Sequence, residues 1–214
     1  MPPRAIDQRL QDVFKKLNDD VITLSWKWQI VNALFDSEER VDILRQTAPS
    51  FFFACRMTFA DDVFLTLSRL TDSSQSMGHD NLVIGRLYDE LAEKEHPEFH
   101  KRLTALVAAA RDACKPFWRH RHKRLAHNDL EMKLQYTAEA LPGITIGDVS
   151  RAIKSIQEVL NTFNLYFFEG ETYPGVFEGG GVDALFVYLK KGLEGFEKEK
   201  QQMLALHNPS NSPT

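Results

Sequence analysis

The chain has 214 residues, a length that predicts a single domain with a complete hydrophobic core. Hydrophobic residues make up 43% of it and charged residues 26%, which are ordinary values for a globular protein and exclude a disordered chain. The formal net charge of -4 excludes a protein that attracts nucleic acid over its whole surface, so any contact with a polyanion is expected to be local.

The two cysteines, Cys55 and Cys114, lie far apart in the chain and in apolar surroundings. This excludes a disulfide framework and a CxxC metal knuckle, and it indicates a reducing compartment. The most apolar run, which begins at Phe51, is interrupted by one arginine and two aspartates. We therefore predict a cytoplasmic protein with no export signal and no membrane span.

Apolar residues recur at spacings of three and four along nearly the whole chain, and alternating strand patterns are almost absent, which predicts an all-α fold. The first helix carries an apolar stripe that begins at Leu10, includes Leu17 and continues to Leu34. A short second helix is expected after Asp36 or Ser37, since either side chain can accept a hydrogen bond from a first-turn amide.

A third helix is predicted from Ser50 to about Thr71. Its apolar residues occupy much of the helix circumference, including Phe51, Phe52 and Met57, so it is expected to be the most buried helix. The polar stretch TDSSQSMGHD that follows predicts a loop, after which Asp80 can cap a helix with the sequence NLVIGRLYDELAEK.

Proline and capping residues mark the later helices. Pro97 suits the first turn of a helix, where its missing amide donor is not needed, whereas Pro116 predicts a kink or break in that same helix. Thr145 or Asp148 begins a long helix with a continuous apolar stripe, and a final helix follows. The apolar stripe of the final helix consists of Leu185, Val187, Leu189, Leu193 and Phe196.

The chain has no internal repeat and no clear linker between domains. We therefore predict one helical domain over residues 1–207, with a loop at 170–181 and a disordered tail at 208–214.

The segment FWRHRHKRLAHND, residues 117–129, forms a cluster of positive charge and is named the basic cluster. No acid occurs between residues 115 and 124, so the ion pairs expected on a solvated helix face are missing. Like charges repel, and an anionic ligand, a catalytic role or exposure to water must offset that cost. The cationic or titratable side chains are Arg119, His120, Arg121, His122, Lys123, Arg124 and His127.

Three interpretations of the basic cluster remain open from the residues themselves. A metal site is disfavoured because the histidines lack cysteine partners and an HExxH arrangement, so no metal and no cofactor are predicted. The second interpretation is a solvated helix face on which Asp129 forms an ion pair with an arginine. Phosphodiester chemistry is the third, because arginine binds phosphate bidentately and histidine can carry a proton near neutral pH.

The residues RHKRLAHND, 121–129, resemble the signature of the HEPN superfamily, in which an arginine is followed by a polar residue and, four to six residues on, by a histidine. Arg121, His122 and His127 match it, with five residues between the arginine and the last histidine. The following Asn128 and Asp129, together with the flanking helices, resemble the abortive-infection (AbiU-type) branch.

This resemblance implies an up-and-down helical bundle of about five to seven helices that commonly dimerises, with two copies of the motif in a shared cleft. Active members are metal-independent endoribonucleases, often toxins or phage-defence effectors, and many relatives have lost catalysis. By position, Arg121 would stabilise the scissile phosphate, His127 would act as general acid or base, and His122 would assist. RNA supplies its own nucleophile in the 2′-hydroxyl.

The remaining polar residues of the basic cluster complete the expected site. Asn128 and Asp129 are candidate supporting residues. The expected partners are a second copy of the chain, RNA and an antitoxin protein. The candidates for binding RNA phosphates are Arg119, Lys123, Arg124 and His120.

Helix geometry limits how Arg121 and His127 can act together. Six residues of ideal helix rotate by about 600°, which leaves the two side chains on different faces of one chain. Both can reach one phosphate only if the helix breaks between them or a second subunit contributes. The alternatives to an endoribonuclease are a non-catalytic module that binds RNA or an acidic protein, and a purely structural bundle.

Overall fold

The structure is a computed structural model that describes residues 6–76, 78–122, 143–168 and 181–207. Over these residues it contains seven helices and one short hairpin, which confirms the predicted all-α bundle. None of the described helices is both long and apolar enough to cross a membrane. The elements are α1 (Gln8–Phe35), α2 (Glu38–Thr47), α3 (Pro49–Leu70), β1 (Gln75–Ser76), β2 (His79–Asp80), α4 (Arg86–Asp89), α5 (Pro97–His120), α6 (Ile146–Phe167) and α7 (Val182–His207).

The chain forms two compact units, which are described separately. Unit 1 holds residues 1–27 and 60–176, and unit 2 holds residues 28–59 and 177–214, in both cases as far as the chain is described. Helices α1 and α3 each contribute residues to both units. The assignment of a single domain over 1–207 stays a prediction, and the tail at 208–214 lies outside the described residues, as does most of the loop predicted at 170–181.

The core of unit 1 is centred on the packing of α5 against α6. Thr145 caps α6 as predicted, since its hydroxyl accepts from the amide of Asp148 at 3.1 Å and the Asp148 carboxylate accepts from the amide of Thr145 at 2.9 Å. Aromatic rings fill the interface, with Phe163 stacked on Phe14 at 5.1 Å between centroids. The predicted apolar stripe of α6 is confirmed as buried: Ile153, Ile156, Val159, Leu160, Phe163 and Phe167.

The predicted break at Pro116 is wrong. Helix α5 begins at Pro97 as expected, but it continues through Pro116 to His120, and Arg121 keeps helical angles of φ -56° and ψ -54°. The neighbouring Cys114 and Phe117 are fully buried, and burial of such side chains offsets the cost of about 3 kcal/mol for a proline inside a helix. The basic cluster therefore begins within a helix, which residues 121 and 122 extend as a π-helical turn.

The segment between α3 and α5 also differs from its prediction. The expected loop contains a hairpin, in which β1 pairs antiparallel with β2 through Gln75 opposite Asp80. Gly78 supplies the positive φ of 82° that its turn requires. Asp80 lies in β2 and caps no helix, and the predicted helix is reduced to the four residues of α4. Asp80 instead forms an ion pair with Arg86 at 2.5 Å, which ties the hairpin to α4.

The core of unit 2 is formed by α2, α7 and parts of α1 and α3. Ser37, rather than Asp36, caps α2, because its hydroxyl accepts from the amide of Arg40 at 3.3 Å. Within the predicted stripe of α7, Val187 and Phe196 are exposed, so that stripe is wrong in part. The core residues are Leu34, Ile43, Leu44, Phe52, Val182 and Phe186.

The first half of α3 is not buried as predicted. Phe52 enters the core of unit 2, but Phe51 is 62% exposed and Met57 is 41% exposed. The apolar residues run around the helix, whereas the described part of the chain covers one side of it. Burial is complete only in the second half, where Val63 and Leu67 are inaccessible to solvent.

Candidate functional site

Arg121, the arginine of the basic cluster's motif, lies at the end of α5 and forms an ion pair with Asp72. Asp72 follows the end of α3 and lies 49 positions earlier in the chain. Its carboxylate accepts a hydrogen bond from Nη1 of Arg121, and the two side chains are 37% and 27% exposed. The guanidinium is therefore held by an acid at the edge of unit 1 and remains within reach of solvent.

The carboxyl group of Asp72 has a lowered pKa. Partial burial is the largest single influence and acts in the opposite direction, because it disfavours the charged form. The hydrogen bond from Arg121, the amide of Ser73 at 2.9 Å and the nearby charges of Arg121 and His122 together outweigh burial. Asp72 is thus held as a carboxylate, the form that can neutralise a guanidinium.

The turn that carries Asp72 is fastened to α5 on both sides. Trp118 donates its indole N–H to the hydroxyl of Thr71 at 3.1 Å, and that hydroxyl donates to the carbonyl of Leu67 at 2.7 Å. Arg111 donates to the backbone carbonyl of Asp72 at 3.1 Å. Residues of α5 therefore hold both the side chain of Thr71 and the backbone carbonyl of Asp72. The helix that carries Arg121 thus also fixes the position of its acid.

Gly85 makes room for Arg111. A Cβ atom at this position would lie 2.8 Å from Nη2 of Arg111 and 3.1 Å from the hydroxyl of Ser74. Arg111 also donates to the hydroxyl of Tyr88 at 3.3 Å, so its guanidinium links the turn of Asp72 to α4. A side chain at position 85 would displace this link, which explains the glycine without any appeal to backbone strain.

The structure describes only part of the basic cluster. Arg119 and His122 are exposed, whereas His120 is half-buried with its ring 5.5 Å from that of Phe64. His120 therefore lies against an aromatic surface, a less open setting than the phosphate-binding role expected of it. The remaining predicted site residues lie outside the described residues: Lys123, Arg124, His127, Asn128 and Asp129.

A cleft of about 540 Å³ in unit 1 adjoins the pair of Arg121 and Asp72, and both residues line it. This volume is in the range of sites that bind small molecules or single nucleotides. Lys27 and Asp62 form an ion pair at 2.7 Å on another part of the wall. The lining is therefore polar and carries both signs of charge, with Arg69 as its third cation.

Arg86 stabilises the rim of the cleft. Its buried guanidinium donates to the carbonyl of Ser74 at 2.6 Å and to that of Asn81 at 3.1 Å, in addition to its pair with Asp80. The Arg86 hydrogen bond is also the main reason why the pKa of Asp80 is lowered. Three backbone and side-chain contacts from one arginine hold the hairpin beside the cleft.

Two further polar residues of unit 1 have structural roles. His96 contacts the hydroxyl of Tyr166 at 3.1 Å and packs edge-on against Phe167. Asp62 pairs with Lys27 rather than with the arginines of its own helix. Within the described ranges, no group of three or more His, Cys, Asp or Glu side chains could hold a metal ion.

Asp72 is the site residue that sequence reasoning missed. The only available signal was its place immediately after the predicted third helix, in a polar segment that resembles an ordinary loop. The acid named from the sequence was Asp129, as the partner of an arginine on a solvated helix face, because residue spacing can indicate pairing only within one helix. The partner that the structure shows comes from a distant part of the chain, through contact between α5 and the end of α3.

Comparison with known proteins identifies the family. A family model described as AbiU2, of the HEPN type, matches residues 7–174, which is more than half of the chain. The match extends over α1 to α6 and ends before α7. No curated protein and no solved structure matches the chain.

Proposed function

The chain belongs to the AbiU2 family of HEPN domains, and from this membership we propose that it is an RNA-directed protein that cleaves RNA without a metal ion during abortive infection. The observation that supports the proposal is the pairing of Arg121 with a carboxylate at the edge of a polar cleft. Carboxylate and phosphate bind a guanidinium with the same bidentate geometry, so Asp72 occupies the position that an RNA phosphate would take.

The proposed reaction uses the 2′-hydroxyl of RNA as nucleophile. Its oxygen bonds to phosphorus while the bond from phosphorus to the 5′ oxygen breaks, which leaves a 2′,3′-cyclic phosphate and a free 5′-hydroxyl. Arg121 stabilises the charge that develops on the phosphoryl oxygens. One proton leaves the 2′-hydroxyl and another is added to the departing 5′ oxygen; His127 carries out one of these transfers as general base or general acid, and water carries out the other. His122, whose charge already acts on the Asp72 carboxylate, assists at the same site.

The other residues of the basic cluster bind the substrate in this proposal. Neighbouring phosphates contact the side chains that surround the motif, and Asn128 and Asp129 support the position of His127. The contribution of each cation is electrostatic and falls with salt concentration. The phosphate-binding residues are Arg119, His120, Lys123 and Arg124.

A homodimer is part of the proposal, with the motif at or near the interface. HEPN domains commonly dimerise, and an isologous interface would set each copy of the motif against the other. This arrangement removes the geometric difficulty that six positions along an ideal helix would place Arg121 and His127 on different faces. An antitoxin protein is the proposed regulator, because an endoribonuclease that acts on the host's own RNA must be held inactive until infection.

The experiment is a cleavage assay in EDTA with a pool of diverse RNAs. We expect cleavage by the wild-type protein and a loss of about 10²-fold or more in His127→Ala and Arg121→Ala, because general acid–base and oxyanion-type contributions are of this size. Arg102→Ala is the matched control, since Arg102 is an exposed arginine of α5 outside the site. Equal cleavage by all four proteins, or none on any RNA, would remove the catalytic assignment.

A non-catalytic module that binds RNA or an acidic protein is the second candidate. It is favoured by one observation, which is that the guanidinium of Arg121 already binds an acid, a contact that a partner's carboxylate or an RNA phosphate could replace without any cleavage. In that case RNA binding would persist in His127→Ala and fall in Arg121→Ala and Arg124→Ala, with a steep salt dependence and no cleavage products.

A further inference from the structure

We infer that Arg69 is a second phosphate-binding residue of the RNA site, and that the cleft it shares with Arg121 holds the nucleotide next to the scissile phosphate. The inference rests on the proposed function and names residues that neither the basic cluster nor the family signature contains. At the end of α3, Arg69 and Asp72 lie three positions apart, and the amide of Asp72 donates a hydrogen bond to the carbonyl of Arg69 at 3.3 Å.

That hydrogen bond joins the first residues beyond α3 to its last turn and keeps Arg69 and Asp72 close together. Asp72 reaches Arg121, so Arg69 lies within one turn of the pair that would receive the scissile phosphate. Both arginines line the same cleft of about 540 Å³. Successive phosphates of a single strand can therefore contact Arg121 and Arg69 in turn while the nucleotide between them enters the cleft.

Arg69 differs from the other cations around the cleft in having no ion pair among the described residues. Lys27 pairs with Asp62, Arg86 with Asp80 and Arg121 with Asp72. The side chain of Arg69 is exposed, so its guanidinium is hydrated and accessible to a ligand. Such a guanidinium is the first group that a phosphate would meet, because binding there displaces no carboxylate of the described chain.

The rest of the lining suits a nucleotide better than an extended polyanion. Asp62 and Asp80 are already neutralised by their pairs with Lys27 and Arg86, which reduces the repulsion toward a phosphate at Arg69. Asp20 forms no ion pair within the described part of the chain, and a carboxylate of this kind accepts hydrogen bonds from the amino groups of bases. The neutral polar residues available to sugar and base are Thr23, Thr66, Ser76 and Asn81.

A structural role for Arg69 is the competing explanation. An arginine in the last turn of a helix interacts favourably with the helix dipole, and α3 ends one residue later. That role predicts a small change in stability and none in RNA binding. The experiment must therefore measure binding and folding in the same variants.

The test is RNA binding by proteins that carry His127→Ala, in which the proposed acid–base group is absent and the RNA stays intact. Fluorescence anisotropy with a short single-stranded RNA gives the Kd, and its salt dependence gives the number of phosphates contacted. We expect Arg69→Ala to weaken binding by about ten-fold and to reduce the salt slope by about 0.7, the loss of one phosphate contact on a single strand. Arg69→Lys should restore the slope but not the full affinity, because lysine lacks the bidentate fork.

Arg102→Ala in the same background is the matched control, with the same loss of charge from an exposed arginine of unit 1 away from the cleft. It should bind within two-fold of the parent, roughly the spread expected for a remote surface substitution. Thermal unfolding of each variant identifies any effect that comes through folding. If Arg69→Ala binds as Arg102→Ala does while Arg121→Ala binds weakly, the inference is wrong and the proposed function stands. If the His127→Ala parent binds no RNA, the proposed function fails and the inference with it.

Discussion

Trp118 and Thr71 are joined by a hydrogen bond of 3.1 Å from the indole N–H to the hydroxyl, one residue before Asp72 and three residues before Arg121. Each residue of the ion pair therefore lies close in sequence to one residue of this hydrogen bond, because Asp72 follows Thr71 directly and Arg121 follows Trp118 by three positions. Cys114, one turn earlier in α5, lies against the same hydroxyl, and burial raises the pKa of its thiol to about 12. An uncharged, part-buried contact beside the ion pair thus fixes where the two charged side chains meet.

Under the proposed function, Asp72 would compete with RNA for Arg121, and removal of its charge should strengthen RNA binding. In the His127→Ala background, we expect Asp72→Asn to lower the Kd for single-stranded RNA by about three- to ten-fold, because the amide keeps the shape but no longer neutralises the guanidinium. Asp89→Asn is the control for the change in net charge, since Asp89 is an exposed aspartate of α4. Weaker binding by Asp72→Asn than by Asp89→Asn would mean that Asp72 positions Arg121 for the phosphate instead of competing with it.

The same carboxylate makes stability depend on pH. The pKa of Asp72 is lower in the folded protein than the value of about 3.9 in an unfolded chain, so the pair contributes its stability above that value. The contribution is lost as the pH falls through the folded pKa. Because the side chain is 37% exposed, solvent screening limits it to roughly 0.5–1 kcal/mol.

Urea denaturation of the wild-type protein and of Asp72→Asn measures this contribution. We expect the wild-type protein to be the more stable of the two near pH 7 and the difference to shrink toward zero as the pH falls below about 3.9. A difference of the same size at every pH would show that the ionised form of Asp72 is not what stabilises the fold.

The helices with one buried face were predictable from the sequence, and those with two apolar faces were not. In α6 the spacing of Ile153, Ile156 and Leu160 leaves one possible core side, and all three are buried. In α3 the apolar residues surround the helix, so periodicity cannot tell which side a neighbour covers. Phe52 is buried and Phe51 is exposed for this reason.

The site was predictable to the extent that it depends on local spacing. The basic cluster stood out because positive charges crowd together without an acid nearby, and Arg121 stood out within it because it matches the HEPN signature. Asp72 did not, because its pairing depends on the approach of α5 to the end of α3, which no spacing within either helix encodes. The continuation of α5 through Pro116 was missed for the same reason, since burial of the flanking residues, and not local propensity, decides it.

Phe52 and Phe53 test the assignment of the core in unit 2. Phe52 is buried in the cluster with Leu34 and Ile43, whereas its neighbour Phe53 is 67% exposed. Phe52→Ala should therefore cost about 3–5 kcal/mol of unfolding free energy, and Phe53→Ala should change it by no more than about 0.5 kcal/mol. Both are measured by urea denaturation of the full chain, and similar losses in the two variants would contradict the burial described for α3.

Gly85 is needed for the space that Arg111 occupies, and Gly85→Ala should disturb the turn of Asp72. The new Cβ would lie 2.8 Å from Nη2 of Arg111, which donates to the carbonyl of Asp72, so the guanidinium must shift and that hydrogen bond weakens. We expect a loss of about 1 kcal/mol in unfolding free energy, the value of one hydrogen bond, rather than more, because the obstructing atom is the end of a flexible side chain.

Gly192→Ala is the control for Gly85→Ala. A Cβ atom at position 192 would have no atom of the described chain within 4 Å, and α7 is helical there, so alanine should stabilise the protein by about 0.4–1 kcal/mol. Chemical denaturation of both variants decides the matter, and equal stabilisation by the two alanines would mean that Arg111 does not depend on the absence of a side chain at position 85.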